Sequence, residues 1–339
     1  MGEKVIAIHR KSRASFLLPV SVPTASAGKL CGWCVQNCKI AEGEFGYCGL
    51  RTVERGKVLH LAGTRKAGLL HWYRDALPTN CVADWVCEGS KMHGYHNLAV
   101  FYGSCTFNCL FCQNWHFRDL TCSLLRSARQ GKVGFSRNLM SAEELAGVAD
   151  GRTFCVCFFG GDPASQMPHA LATARRLAER GVRVCWETNG SMNQHFMKEA
   201  VKLSLETGGT VKFDLKAFSE GVHIALTGVT NKRTLENFAL TTEFLKERKV
   251  SPKHQPSQPL VVASTLLVPA YVDEVEVGHI ASFIASLSTD VPYALLAFHP
   301  QFYLSDLPTT SRADAEKAFA IAKKAGLKNV RIGNVHLLA

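Results

Sequence analysis

The chain has 339 residues, 47% hydrophobic and 20% charged, with a formal net charge of +11. No apolar run approaches the ~20 residues needed to span a bilayer, and no aromatic-interleaved basic motif marks a known nucleic-acid module. The length fits one large α/β domain with a smaller appendage, and the charge favours an acidic partner or substrate.

The 13 cysteines are clustered and odd in number, which argues against a disulfide framework and for metal-bound thiols in a reduced, cytoplasmic protein. At the N-terminus Lys4, Arg10, Lys11 and Arg13 precede a short apolar stretch, and Ala25-Ser26-Ala27 is similar to a signal-peptidase site. Pro19 and Pro23 interrupt that stretch, so a flexible basic leader is expected rather than an export signal. Cys31, Cys34, Cys38 and Cys48 follow at C-x2-C-x3-C-x9-C spacing among Gly43, Gly46 and Gly49. Four thiols in a glycine-rich segment fit a metal-stapled loop holding zinc, a single iron or an auxiliary iron–sulfur cluster, and the spacing does not choose among them. Cys81 and Cys87 either complete that site, line an active site, or are simply buried. Residues 1–97 show no strand–helix alternation and are predicted to form a cysteine-rich extension, with a second domain over 98–339.

From residue 98 the alternation is regular. Strands are predicted over 98–102, 153–159, 182–187, 210–215, 260–268, 293–298 and 329–332. Helices are expected near 141–150, 165–181, 192–206, 233–248, 274–288 and 312–325, with Ser141, Ser165 and Asp273 as N-caps. Residues 250–259 read as an exposed proline-rich loop. Seven strands with intervening helices argue for an α/β fold built on a parallel sheet with right-handed crossovers. A partial, (β/α)6-type barrel fits better than eight closed units, with its chemistry at the carboxyl ends of the strands. Cys155, Cys157 and Cys185 fall inside apolar strands, where small buried hydrophobes are expected.

The first strand runs into Cys105-Thr106-Phe107-Asn108-Cys109-Leu110-Phe111-Cys112. Three thiolates at C-x3-C-x2-C spacing can hold three corners of a [4Fe–4S] cube that takes four in full ligation, leaving one iron open to a small molecule. With Phe111 before the last cysteine, this run resembles the signature of the radical S-adenosylmethionine (SAM) superfamily. Later segments are similar, in order, to the pyruvate formate-lyase activase group: Gly160-Gly161-Asp162-Pro163, Trp186-Glu187-Thr188-Asn189-Gly190, Lys212-Phe213-Asp214-Leu215-Lys216 and Phe298-His299-Pro300. The N-terminal cysteines resemble the AmmeMemoRadiSam-type branch, although Leu77-Pro78-Thr79-Asn80-Cys81 stands where that branch often has a D-P-I-E-K-K-P-like stretch.

Paired glycines let a ligand approach the backbone closely, and the resemblance assigns that backbone to the SAM amino group, with Asp162 in the family's glutamate position. Lys216 suits the SAM carboxylate by charge. Asp214, Glu187 and Thr188 suit the ribose, or a cation as the activase group suggests. His299, at a strand end, either touches SAM or substrate or simply caps the strand. The resemblance implies a [4Fe–4S] cluster and SAM as cofactors, reductive cleavage of SAM to a 5′-deoxyadenosyl radical, and a flavodoxin or ferredoxin as reductant. The substrate stays open between a protein or peptide and an RNA or phosphorylated metabolite. A non-catalytic metal-stabilised nucleic-acid-binding protein would require the thiol motif to be accidental.

Overall fold

In the computed structural model, residues 2–132, 138–246 and 259–339 are described. A nine-stranded sheet runs, edge to edge, Val330–Gly333, Tyr293–Ala297, Val261–Leu267, Val211–Asp214, Arg183–Thr188, Thr153–Phe159, His96–Tyr102, Gly68–Ala76 and Leu139–Met140. The first seven pair in parallel. Gly68–Ala76 adds antiparallel to His96–Tyr102, and Leu139–Met140 antiparallel to Gly68–Ala76. All seven strands predicted from the apolar runs are present within two residues of their expected ends. The sheet also recruits Gly68–Ala76, which precedes that alternation. The expected loop at 250–259 lies outside the described residues, Pro259 excepted.

Alternation along each strand sorts its side chains onto two faces. Val100, Val156, Phe158, Val184, Trp186, Val211 and Phe213 belong to the main apolar core with Met167, Leu171, Met197 and Val201 of the crossover helices. Trp186 stacks on Phe158 at 4.7 Å between centroids and its Nε1 donates to Ala200 O at 3.1 Å. Burying one such side chain is worth about 1.5–3 kcal/mol, so this face holds the layers together. The opposite face carries Cys155, Cys157, Cys185, Glu187, Lys212 and Asp214, and both cavities described below open on it.

Two local expectations are corrected. Residues Gly2–Ala14 form an α-helix rather than a flexible leader. His9 bonds Ala225 O at 3.1 Å and Asn108 Nδ2 at 3.0 Å, and Arg13 donates to Tyr47 O, so the polar face is the buried one. Ser165 does not cap the following helix. Asp162 caps a short 3-10 turn, Pro163–Ser165, by accepting from Ala164 N at 2.7 Å, and the α-helix starts at Met167. The Ser141–Glu144 capping box forms as expected, and Asp273 caps its helix, but Glu276 turns away to accept from Phe218 N and Ser219 N.

Candidate active site

The segment after His96–Tyr102 carries Cys105, Cys109 and Cys112 across one end of the sheet. Its backbone is tied at Asn108 N to Thr227 O and at Leu110 N to Leu226 O (both 2.9 Å), and Leu110 O accepts from Tyr303 N at 2.9 Å. All three cysteines line a cavity of ≈ 190 Å³ together with Phe111, Gly160, Gly161, Asp162, Glu187, Asp214 and Lys216. Burial pushes the Cys105 thiol well above its usual range and Cys109 to about 12, with Lys216 opposing the latter. Metal binding must therefore drive off protons that burial holds in place.

Lys216 Nζ lies 2.8 Å from Asp214 Oδ2 and 5.5 Å from the centroid of the Phe111 ring. Burial works against its charge, but Asp214 and the Cys109 thiol outweigh that and hold the ammonium above its ordinary range. Asp214 is also fixed by Ser264 Oγ at 2.9 Å. Glu187 turns toward Lys212, its Oε2 3.3 Å from Nζ.

The paired glycines answer to the chain itself. Gly160 has φ +60°, and a Cβ there would stand 2.3 Å from the Phe101 ring; Gly161 has φ +48°, and its Cβ would meet Tyr102 O at 2.3 Å and Ser104 O at 2.4 Å. The turn is thus pressed against the backbone that launches the thiol segment, and Asp162 N bonds Ser104 O at 2.9 Å. The Asp162 carboxylate accepts from Thr188 Oγ1 (3.0 Å) and Asn189 N (2.7 Å), and burial raises it to about 7 against those donors. Asp162 and Thr188 therefore tie two strand ends together, and Thr188 does not line the cavity. His299 lies outside it as well: its ring is exposed and bonds Pro300 O at 2.9 Å.

The N-terminal cysteines dock on this segment. Cys38 and Cys31 pack in one apolar cluster with Phe107, Cys105 and Cys109. Ser104 Oγ donates to Cys48 O and Gln36 Nε2 to Thr106 O, both at 2.8 Å. Among the described residues, no three His, Cys, Asp or Glu side chains, in this group or at Cys105–Cys112, converge closely enough to chelate a single ion.

Three arginines test whether the thiols suit a metal centre. Arg13, Arg51 and Arg118 are 1–2% exposed, and among the described residues none pairs with a carboxylate. Arg51 Nη1 donates to Cys48 Sγ at 3.0 Å, while its Nε and Nη2 have no partner. Arg118 lines the cavity, hydrogen-bonds Asn108 Oδ1 at 3.4 Å, lies 4.7 Å and 4.9 Å from the Phe117 and Phe302 ring centroids, and leaves Nη1 without a hydrogen bond. A buried uncompensated charge costs several kcal/mol. Thiolate-ligated iron or zinc centres carry the negative charge that would offset it, so the residues fit such groups.

Sequence reasoning missed Arg118, Lys212 and Asn189, whose Nδ2 donates to Thr106 Oγ1 at 2.9 Å and sits 3.7 Å from Cys105 Sγ. Asn189 was within reach, since it belongs to the Thr188-Asn189-Gly190 segment. Lys212 likewise heads the Lys212-Phe213-Asp214-Leu215-Lys216 segment, whereas Arg118 carries no local signal.

A sheet with three thiols at its carboxyl edge, a tight glycine turn and a buried lysine defines a class of cofactor-dependent α/β enzyme. Residues 99–251 match the model described as "Radical SAM superfamily". The chain is 27% identical over 321 residues to an uncharacterized protein of Methanocaldococcus jannaschii, covering 90% of this chain and 81% of that one. It is 32% identical to the isethionate sulfite-lyase activating enzyme of Desulfovibrio desulfuricans, over 41% of this chain and 40% of that one. It is 25% identical to the pyruvate formate-lyase 1-activating enzyme of Escherichia coli K12, over 59% of this chain and 73% of that one. These comparisons support a radical SAM enzyme, with the matching domain at residues 99–251, similar to the activating enzymes of pyruvate formate-lyase and isethionate sulfite-lyase.

Proposed function

We propose that the chain cleaves SAM reductively at a [4Fe–4S] cluster held by Cys105, Cys109 and Cys112, and modifies a protein or peptide. The observation that carries this reading is the meeting of three thiols, Lys216 and the uncompensated Arg118 guanidinium in one cavity. With cluster and SAM bound, the chemistry supplied is one-electron cleavage to methionine and a 5′-deoxyadenosyl radical that abstracts hydrogen.

The chain's own residues bind and orient. Lys216, held by Asp214, pairs with the SAM carboxylate, and the Gly160–Gly161 backbone takes the amino group. Asp214 and Glu187 face the remaining polar atoms. Asp162 and Thr188 serve by fixing the two turns, and Phe111 shields Lys216 from water, which strengthens its ion pairing. Cys31, Cys34, Cys38 and Cys48 form a second centre, with Arg51 donating to its sulfur. In this reading residues 1–97 are the cysteine-rich extension, 98–339 a partial (β/α)6 barrel, and the protein works in the cytoplasm with a flavodoxin or ferredoxin as electron donor.

A protein substrate is supported by the names of the relatives, which are activating enzymes of lyases. The net charge of +11 favours RNA as the second reading. Anaerobic reconstitution with iron and sulfide, followed by dithionite and SAM, tests the chemistry: 5′-deoxyadenosine should form and should vanish in Cys105→Ala. RNA affinity falling steeply with salt would favour the second reading.

A further inference from the structure

Of the 13 cysteines, seven belong to the two groups above and Cys122 stands alone. The remaining five, Cys81, Cys87, Cys155, Cys157 and Cys185, all line a single second cavity of ≈ 130 Å³. It shares Phe159 and Glu187 with the SAM cavity, so the two are neighbours on the same face of the sheet. Cys157 and Cys185 are direct register partners on adjacent parallel strands. Cys81 and Cys87 come from the loop between Gly68–Ala76 and His96–Tyr102, which covers that face, and Asp84 of this loop is anchored to Arg331 at 2.7 Å.

Cys155, Cys157 and Cys185 pack with Leu77 in a small apolar cluster, against Met92, Phe154 and Phe159, but packing alone does not call for a lysine among them. Where the same strands need packing alone they carry Val156, Phe158, Val184 and Trp186. The cysteines are confined to the face that also holds a buried cation: Lys212 is 3% exposed, and its Nζ lies 3.1 Å from Cys81 Sγ and 3.0 Å from Cys157 Sγ. Glu187 Oε2, 3.3 Å from the same Nζ, supplies one counter-charge, and the two sulfurs are the ammonium's other partners. Cys155 Sγ donates to Asn97 Oδ1 at 3.4 Å and also hydrogen-bonds Cys185, which places it beside the group rather than among the four proposed ligands.

We propose that Cys81, Cys87, Cys157 and Cys185 hold a further iron–sulfur cluster between the sheet and its covering loop, with Lys212 hydrogen-bonding two of the ligand sulfurs. Soft thiolates select iron–sulfur clusters, zinc and Cu(I). Four thiolates are the full ligand set of an iron–sulfur cluster, and all four of these line one cavity of ≈ 130 Å³ between the sheet and its covering loop. Hydrogen bonds to sulfur adjust a cluster's potential, which gives Lys212 its role. This site does not depend on SAM chemistry at the neighbouring cavity.

The test counts iron and acid-labile sulfide per chain, with EPR of the reduced protein, after anaerobic reconstitution of the full chain with ferrous iron and sulfide. Cys81→Ala/Cys87→Ala, in the loop, and Cys157→Ala/Cys185→Ala, in the strands, should each lose one cluster, about four irons, and the same EPR component. Lys212→Gln should keep the iron and shift the potential of that component alone. A full iron count in either folded double variant overturns the proposal, as does zinc in place of iron at these thiols. Should neither double variant fold, Cys81→Ser provides the same comparison with one loop ligand changed. Cys105→Ala/Cys109→Ala/Cys112→Ala separates the two ideas. If it loses a cluster while the Cys81/Cys87 variant loses none, only the further cluster fails; if it loses none, the SAM-cleaving reading fails.

Discussion

Gly161→Ala should destabilise the metal-free chain by about 2–5 kcal/mol. The residue sits at φ +48°, where a Cβ costs roughly 1–2 kcal/mol. Its Cβ would also press on two backbone carbonyls, Tyr102 O at 2.3 Å and Ser104 O at 2.4 Å, and such overpacking costs about 1–3 kcal/mol. Neither carbonyl can yield as a flexible side chain would, because Ser104 O already accepts from Asp162 N at 2.9 Å and Ser165 Oγ at 3.1 Å. Relief must come from moving Ser104, and Cys105 moves with it. Gly151→Ala is the control: nothing lies within 4 Å of its Cβ and its φ is not positive, so the change should be neutral or stabilising by about 0.4–1 kcal/mol. Urea unfolding of both variants measures the difference, and iron uptake should fall in Gly161→Ala alone. Equal midpoints for the two would refute the claim that the turn is braced against the thiol segment.

Lys216→Met removes a charged hydrogen-bond donor worth about 1.5–3 kcal/mol, so SAM binding by calorimetry should weaken roughly 10- to 100-fold; unchanged affinity would exclude Lys216 as the carboxylate partner. Arg118→Met should leave the metal-free chain as stable or more so, yet weaken iron retention, because the buried charge is compensated only when a thiolate centre is present; a loss of stability in the metal-free chain would contradict this. Asp162 carries a pKa of about 7 against 3.8 when unfolded. The folded chain therefore keeps a proton that the unfolded chain has released, and this contribution to stability, complete below pH ~4, is lost as pH rises through about 7. Asp162→Asn should flatten that part of the pH–stability curve, and an unaltered slope would show that another group is responsible. His299→Ala should change neither iron content nor SAM affinity, and a clear loss in either would place His299 at the site despite its exposure.

The parallel strands are legible because they are buried on both faces and read as continuous apolar runs. The Ser141–Glu144 cap is legible because its signal is local. Helix Gly2–Ala14 is not, since its buried contacts are made by His9, Ser12 and Arg13 while Ile6 and Ile8 stay exposed, which reverses the usual pattern. Ser165 looks like a cap, but Asp162 three residues earlier takes the free N–H first. The thiol segment is legible from spacing alone. Arg51 and Arg118 are not, because a scattered cation is by default a surface residue; only the three-dimensional pairing with sulfur, or the lack of any carboxylate, sets them apart. Cys155, Cys157 and Cys185 look like small hydrophobes along their strands, and their shared cavity emerges only when Cys81 and Cys87 fold over it.

The most direct test of the central claim is 5′-deoxyadenosine formation by the anaerobically reconstituted chain with dithionite and SAM. The account predicts formation in the wild type, its abolition in Cys105→Ala, and its persistence in His299→Ala. No 5′-deoxyadenosine from a chain that carries its iron, or undiminished formation by Cys105→Ala, would contradict it.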